Sequence, residues 1–519
     1  MTSPFLRRLR IFLSSLVLIC FILVFVDIRY IIPSNYINSL LYLQFAPSFL
    51  KFLDLGTIAA AGFLFILLLT FLTGRTYCSF LCPLGIGQDL FSRIGGRFRR
   101  KFRRYGYKKP HTILRYSLLA ITLIVTMVWG IYMITLLDPY SIFGRFITYF
   151  VKPVIIIINN FLAGILGRFD IYTLNHITVK GYPLIAYSIP AAFFLLIGVL
   201  SFTKGRLYCN TICPVGTLLG LVSKISLFRI KFDKVACTRC GRCSIGCKSS
   251  CIDFLKHDVD VSRCVSCFNC INACPDKALS YGLISLKKKE QQTDEGKRKF
   301  VAASVLMLFG INRIAGAQEK SVPKPTKDST VKEDRKLFVC PPGGGNIEEF
   351  NKNCTACSLC ISACPNGVLQ PAITEYGIYG MMQPVMNYHK SFCTYNCVVC
   401  TEICPVYALK PLALEAKKLT QLGKAIFIKD NCIVKTEKTA CGACSESCPT
   451  KAVHMIPYEG TLVIPEMTED ICIGCGHCEF ACPTTPYKAI FVDGNAVHVA
   501  AKKPENVQSE METPVEFPF

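Results

Sequence analysis

Cys264, Cys267, Cys270 and Cys274, with Pro275 following, carry a spacing with few chemical meanings. Three thiolates at i, i+3 and i+6 wrap one side of an iron–sulfur cubane. A fourth, set off by three residues, points away into a short helix and ligates a partner cluster. Close variants recur as Cys237, Cys240, Cys243 and Cys247; as Cys354, Cys357, Cys360 and Cys364; as Cys393, Cys397, Cys400 and Cys404; as Cys432, Cys441, Cys444 and Cys448; and as Cys472, Cys475, Cys478 and Cys482. The expected cofactors are six 4Fe–4S clusters. Disulfide frameworks belong to short secreted chains, and zinc sites pair C-x-x-C motifs across long gaps, so both fit less well. The sequence shows no C-x-x-C-H for a covalent haem, no Walker loop and no G-x-G-x-x-G.

Ligand exchange between neighbouring motifs sets the pairing. Cys237, Cys240 and Cys243 are expected to share a cluster with Cys274, and Cys264, Cys267 and Cys270 to share one with Cys247. Cys251 is a rival for Cys247, which lacks the usual following proline. Among the four later motifs a nested exchange is expected, outer with outer and inner with inner. Sequential exchange is the alternative. The motif at Cys393 has one extra residue in its first gap, and an insertion follows Cys432, which makes that ligand the least regular.

A second cysteine pattern is an internal repeat. Gly74-Arg75-Thr76-Tyr77-Cys78 leads to Cys82-Pro83-Leu84-Gly85, and Gly205-Arg206-Leu207-Tyr208-Cys209 leads to Cys213-Pro214-Val215-Gly216. Each copy follows an apolar run. Spacing of i, i+4 puts two thiols on one helix face. Cys78, Cys82, Cys209 and Cys213 are therefore expected to meet about a pseudo-twofold axis at the cytoplasmic membrane face. There they would hold one further cluster or another thiolate-bound metal. Thiol chemistry without metal, and plain packing, are the alternatives.

The elements that must position these thiols are of two kinds. Residues 1–230 form a membrane domain, with apolar spans about 11–26, 58–72, 114–137 and 184–202. The stretch 146–166 is also apolar, but Lys152 and Pro153 interrupt it, so a buried or interfacial position is expected. Arg93 to Lys109 is strongly basic, which places that end in the cytoplasm. Residues 231–283 form a two-cluster module, 284–335 a linker with a short apolar run at 300–311, 336–500 a four-cluster domain and 501–519 a disordered tail. The expected fold is an α-helical membrane bundle of four spans, built as a parallel two-helix repeat, plus α+β modules of bacterial-ferredoxin type.

The formal charge of +23 does not point to nucleic acid. Basic residues cluster beside apolar spans, and six thiolate-bound clusters would offset roughly −12 of it.

Residues 1–283 resemble the NapH type of membrane ferredoxin, which has four spans, two C-x-x-x-C-P motifs and two 4Fe–4S motifs. Residues 338–490, with Pro341-Pro342-Gly343, Phe350 and Cys354 ahead of the cluster motifs, resemble the MauM/NapG ferredoxins. The resemblance implies a relay of quinol-dehydrogenase type in the inner membrane. It would pass electrons between menaquinol or ubiquinol and a downstream redox protein or terminal reductase. Residues 231–283 would be cytoplasmic and 336–500 periplasmic. A maturation or metal-reduction factor and a membrane redox sensor are the alternatives. Asp138, His111 and His176 are candidate proton acceptors for quinone chemistry. Cys20 reads as an apolar filler, and Cys340 has no ligand spacing.

Overall fold

The computed structural model describes residues 5–27, 31–57, 61–98, 105–179, 181–283 and 331–503. The apolar run at 300–311 and the basic residues before it lie outside the described residues, as does most of the tail.

The N-terminal region is helical. Its main elements are α1 (Phe5–Val26), α2 (Gly62–Thr73), α3 (Pro83–Phe98), α4 (Thr112–Trp129), α5 (Pro139–Gly167), α6 (Leu184–Lys204) and α7 (Pro214–Ser223). In α1, Phe12, Leu16, Ile19 and Leu23 recur at helical spacing and are all at least half exposed. Arg10, Ser14, Phe21 and Phe25 occupy the opposite, buried face. That is an amphipathic pattern turned inside out, with the apolar stripe facing the surroundings. Three helices, α1, α5 and α6, are long and apolar enough to cross a bilayer, which makes this a membrane-associated chain.

The spans differ from those expected in three places. The 12 residues of α2 reach about 18 Å at 1.5 Å each, short of the ~30 Å hydrocarbon layer. The chain turns at Gly74, where φ is 75°. The run expected over 114–137 is split at Gly130, and Tyr132–Leu137 forms a separate short helix. The stretch 146–166 belongs to α5, a continuous helix of 29 residues whose most apolar part is only 11% buried, so it is not buried in the protein. A π turn at Ile147–Val151 widens this helix just before Pro153, where proline's ring and missing N–H would otherwise clash with the preceding turn.

Two ferredoxin-like regions follow. In the first, antiparallel strands Phe228–Phe232 and Leu279–Leu283 pair with Ile230 opposite Tyr281 and close a small core around Cys243, Cys247 and Cys270. In the second, the long pair Thr420–Phe427 and Ile490–Ala500 ties the end of the region to its middle. Shorter pairs join Leu369–Pro371 to Pro384–Met386 and Val453–Pro457 to Val463–Met467.

These regions cap opposite ends of α1. Leu6, at its start, packs into the core of the first. Phe25, near its end, gives its carbonyl to the Ser362 hydroxyl of the second. Twenty-two helical residues hold the two ends about 33 Å apart. The second region is gripped further by Lys152 on the Ser362 hydroxyl at 3.1 Å and by Lys51 over the Tyr407 ring at 4.0 Å.

Candidate metal centres

Each triplet of cysteines ends in a helix of four or five residues that carries its third thiol. These are Arg242–Ile245, Asn269–Ala273, Leu359–Ser362, Val399–Glu402, Ala443–Glu446 and His477–Ala481. In the four regular triplets the residues flanking the second cysteine are both left-handed. They are Arg239 and Gly241, Ser266 and Phe268, Ala356 and Ser358, and Gly474 and Gly476. Alternation of this kind curls a loop into a nest whose N–H groups face inward, a surface suited to the sulfides of a cluster. In the two irregular motifs the residue before the helix, Val398 or Gly442, has φ of −127° or −134°. The extra spacing replaces the left-handed turn there.

The structure settles the ligand exchange in the second region as sequential. One cavity is lined by Cys354, Cys357, Cys360 and Cys404, the next by Cys364, Cys393, Cys397 and Cys400, and a third by Cys432, Cys441, Cys444 and Cys482. Cys448 joins Cys472, Cys475 and Cys478. The nested exchange is thus corrected. Cys364 and Cys448 join the loop after their own, and Cys404 and Cys482 return to the loop before, so the exchange runs between motifs adjacent in sequence. In the first region, Cys237, Cys240, Cys243 and Cys274 gather as expected, and Cys247 joins Cys264, Cys267 and Cys270. Cys251 joins this second group, its sulfur 3.5 Å from that of Cys247.

The three cavities fit a cubane. Each is walled by four cysteines and apolar or uncharged groups, and no charged side chain lines them among the described residues. Burial and neighbouring thiols push Cys243 up to about 11, and Cys357 and Cys475 up to about 12. Bare thiolates are costly there, and bound iron offsets that cost.

Cys78, Cys82, Cys209 and Cys213 come together, each at most 4% exposed. All four belong to one buried core. The repeat gives matched supports. The second cysteine of each copy precedes a helix-opening proline, and its sulfur accepts the N–H of Gly85 at 3.4 Å or Gly216 at 3.3 Å. Arg206 Nη1 donates to the Cys78 carbonyl at 2.7 Å, and Arg75 Nη2 to the Cys209 carbonyl at 3.0 Å. Arg206 and Arg10 are held by buried Asp89, with Lys248 at 3.4 Å. These arginines, Asp89 and the two glycines were not singled out in the sequence. The matched Gly-Arg and Pro-x-Gly ends of the repeat carried the signal.

The site is buried among the helices and against the first ferredoxin-like region. The chain dips inward after Gly74 and Gly205 and returns along α3 and α7. On one side Ser79 Oγ donates to the Val265 carbonyl at 2.7 Å. On the other, Tyr77 bonds Gln44 and Tyr208 bonds the Leu137 carbonyl. One buried core runs from Val265 through all four cysteines and Tyr140 to Cys357.

The remaining candidates are placed differently. Asp138 is fully buried and caps the start of α5, accepting the Ser141 N–H and hydroxyl at 2.8 Å each. That bond pattern is a helix cap. His176 is exposed in a loop, and His111 lines a basic cavity at the start of α4. Cys20 is half-buried in α1, and Cys340 is fully buried beside Cys354 and Cys404.

A family model described as "4Fe-4S binding domain" matches residues 55–104 and 185–234, each match containing one C-x-x-x-C-P motif. A second, "4Fe-4S dicluster domain", matches residues 439–485. The chain is 23% identical to the putative electron transport protein YccM of Escherichia coli over 289 residues, 52% of this chain and 70% of that protein. It is 28% identical to the ferredoxin-type protein NapF of Escherichia coli over 136 residues, 26% and 74% of the two chains. It is 29% identical to the methylamine utilization ferredoxin-type protein MauM of Methylophilus methylotrophus over 192 residues, 34% and 74%. No solved structure matches. Six ferredoxin-like cysteine loops, family matches over the repeat and over the last two loops, and relatives of ferredoxin type agree: the chain is an iron–sulfur electron-transfer protein with 4Fe–4S-binding domains.

Proposed function

We propose that the chain is a relay of quinol-dehydrogenase type, embedded in the cytoplasmic membrane, that connects the quinol pool to a redox protein or terminal reductase. The observation that supports this most is the unbroken buried core joining the first ferredoxin-like region, the four repeat cysteines and the second region. The six ferredoxin-like cysteine sets would hold six 4Fe–4S clusters, and the four repeat cysteines one more thiolate-bound cluster or metal. Such a cluster supplies one-electron uptake and release with little change of shape.

The chain's own residues supply the setting. Apolar packing of Phe21, Phe25, Tyr140 and Phe143 around Cys357 keeps water from the path. Arg75 and Arg206 fix the carbonyls of Cys209 and Cys78 and add positive charge beside thiolates. Exposed Cys240 marks one end of the chain of sites and half-buried Cys441 and Cys444 the other; these are the ends where partners would dock. The capping of opposite ends of α1 supports a cytoplasmic first region and a periplasmic second.

The test uses protein purified without oxygen and placed in liposomes with menaquinol or ubiquinol. The visible absorption of the clusters should bleach with one of them. A chain that is loaded with iron and bleached by dithionite, but by neither quinol, contradicts the quinol link.

A further inference from the structure

We propose that the cavity between the start of α4 and the end of α6 holds the phosphate of an anionic membrane lipid. Lys108, Lys109, Lys204, Arg115 and Arg263 line it, and among its described lining residues none is acidic. Asp260 lies behind, taking Arg263 Nε at 2.5 Å. It offsets one of the five charges.

Two of the cations are built in rather than free on the surface. Arg115 is 2% exposed and Arg263 is 5% exposed. Arg115 holds Ser262 through both terminal nitrogens at 3.0 Å, yet its Nε has no partner. Arg263 gives Nη1 to the Lys108 carbonyl at 2.9 Å, while its Nη2 has none. The Ser249 hydroxyl in the same cavity is also unpartnered. Buried donors left open cost free energy unless something accepts from them. The first turn of α4, an 18-residue helix, carries no side-chain cap. Its N–H groups add to the attraction for an anion.

The apolar rim selects a lipid over a free ion. Ile113 is 86% and Leu114 50% exposed, directly beside the cations. A phosphate seated among the lysines would leave its acyl chains along this face of α4. Basic pockets at the cytoplasmic ends of membrane helices favour anionic headgroups in this way. The occupant would also touch the redox core. Asn210 and Thr211 line the cavity next to Cys209, and Asn210 receives Arg75 at 2.8 Å.

Native mass spectrometry of the full chain in neutral detergent tests this, with phosphatidylglycerol or phosphatidylcholine added. The wild type should retain phosphatidylglycerol selectively. The exposed triple change Lys108→Glu, Lys109→Glu, Lys204→Glu should weaken retention about a hundredfold, at about 1 kcal/mol or more per charge. The same number of reversals at Arg229, Lys231 and Lys234, on the first ferredoxin-like region, should leave it unchanged. Equal retention of both lipids, or equal loss in the two triple variants, would overturn the proposal. Complete displacement by millimolar inorganic phosphate would overturn the lipid in favour of a free anion.

Discussion

Arg206 donates to the carbonyl of Cys78 at 2.7 Å, although 128 residues separate them. Arg75 does the same for Cys209 at 3.0 Å, so each copy of the repeat holds the other's first cysteine. Asp89 pairs with Arg206, Arg10 and Lys248 and offsets part of their charge. Asp89→Asn leaves three cations around a neutral amide. It should destabilise the chain by about 3–5 kcal/mol, the cost of an uncompensated buried charge. Thermal unfolding in detergent measures it, and a loss below 1 kcal/mol would show that the network is solvated.

Gly85 and Gly216 test the same close approach from the backbone. A Cβ on either would lie 2.3 or 2.2 Å from the carbonyl of Cys78 or Cys209. Gly85→Ala and Gly216→Ala should each lower stability by about 1–3 kcal/mol through overpacking. Gly87→Ala in the same helix meets nothing within 4 Å. It should be neutral or stabilising by up to about 1 kcal/mol, because alanine is the better helix former. Parallel melting curves of the three variants decide.

The sequential exchange of ligands is tested by counting iron in double variants. Cys357→Ser with Cys404→Ser removes two ligands of one set and should cost about four iron atoms, like either change alone. Cys357→Ser with Cys482→Ser touches two sets and should cost about eight. Nested exchange puts Cys482 with Cys357 and reverses the two results.

The cysteine spacing made the six loops legible, because a C-x-x-C-x-x-C loop forms from neighbours in sequence. The exchange in the second region was misjudged, since it depends on which loops the strand pair Thr420–Phe427 and Ile490–Ala500 brings together. The repeat was visible as matched residues, but its depth was not. Nothing local to Cys78 says that it is packed among distant helices. Helix lengths misled for a related reason. Hydropathy runs on through Gly130, while positive φ there turns the backbone. Asp138 looked available for proton transfer only until its cap bonds to Ser141 were visible.

The N-terminal arm of the second region should respond to pH. Glu333, Arg335, His389 and Glu479 form one cluster. Arg335 bonds Glu479 at 2.7 Å and fills the position a metal cation would otherwise take. The hydrogen bond to Glu333 raises the pKa of His389 above its usual value. Its contribution is therefore full below the unfolded-state value of about 6.5, and it is lost as pH rises through the raised folded value. The side chain is 45% exposed, so the effect should stay under about 1 kcal/mol. Trypsin cleavage at Lys332 and Arg335 should quicken between mildly acidic and mildly alkaline pH, beyond the enzyme's own pH profile. His389→Ala should abolish that extra dependence.

In the proposed relay Cys78, Cys82, Cys209 and Cys213 hold a redox centre that links the two ferredoxin-like regions. The most direct measurement compares wild type with the double variant Cys78→Ser, Cys209→Ser, both purified without oxygen, oriented in liposomes and treated outside with a membrane-impermeant reductant. The wild type should bleach fully. In the variant only the clusters on the reductant's side should bleach, and the metal of the repeat site should be lost, about four iron atoms if it is a cubane. Full bleaching of the variant at the wild-type rate, with unchanged iron, would contradict this role.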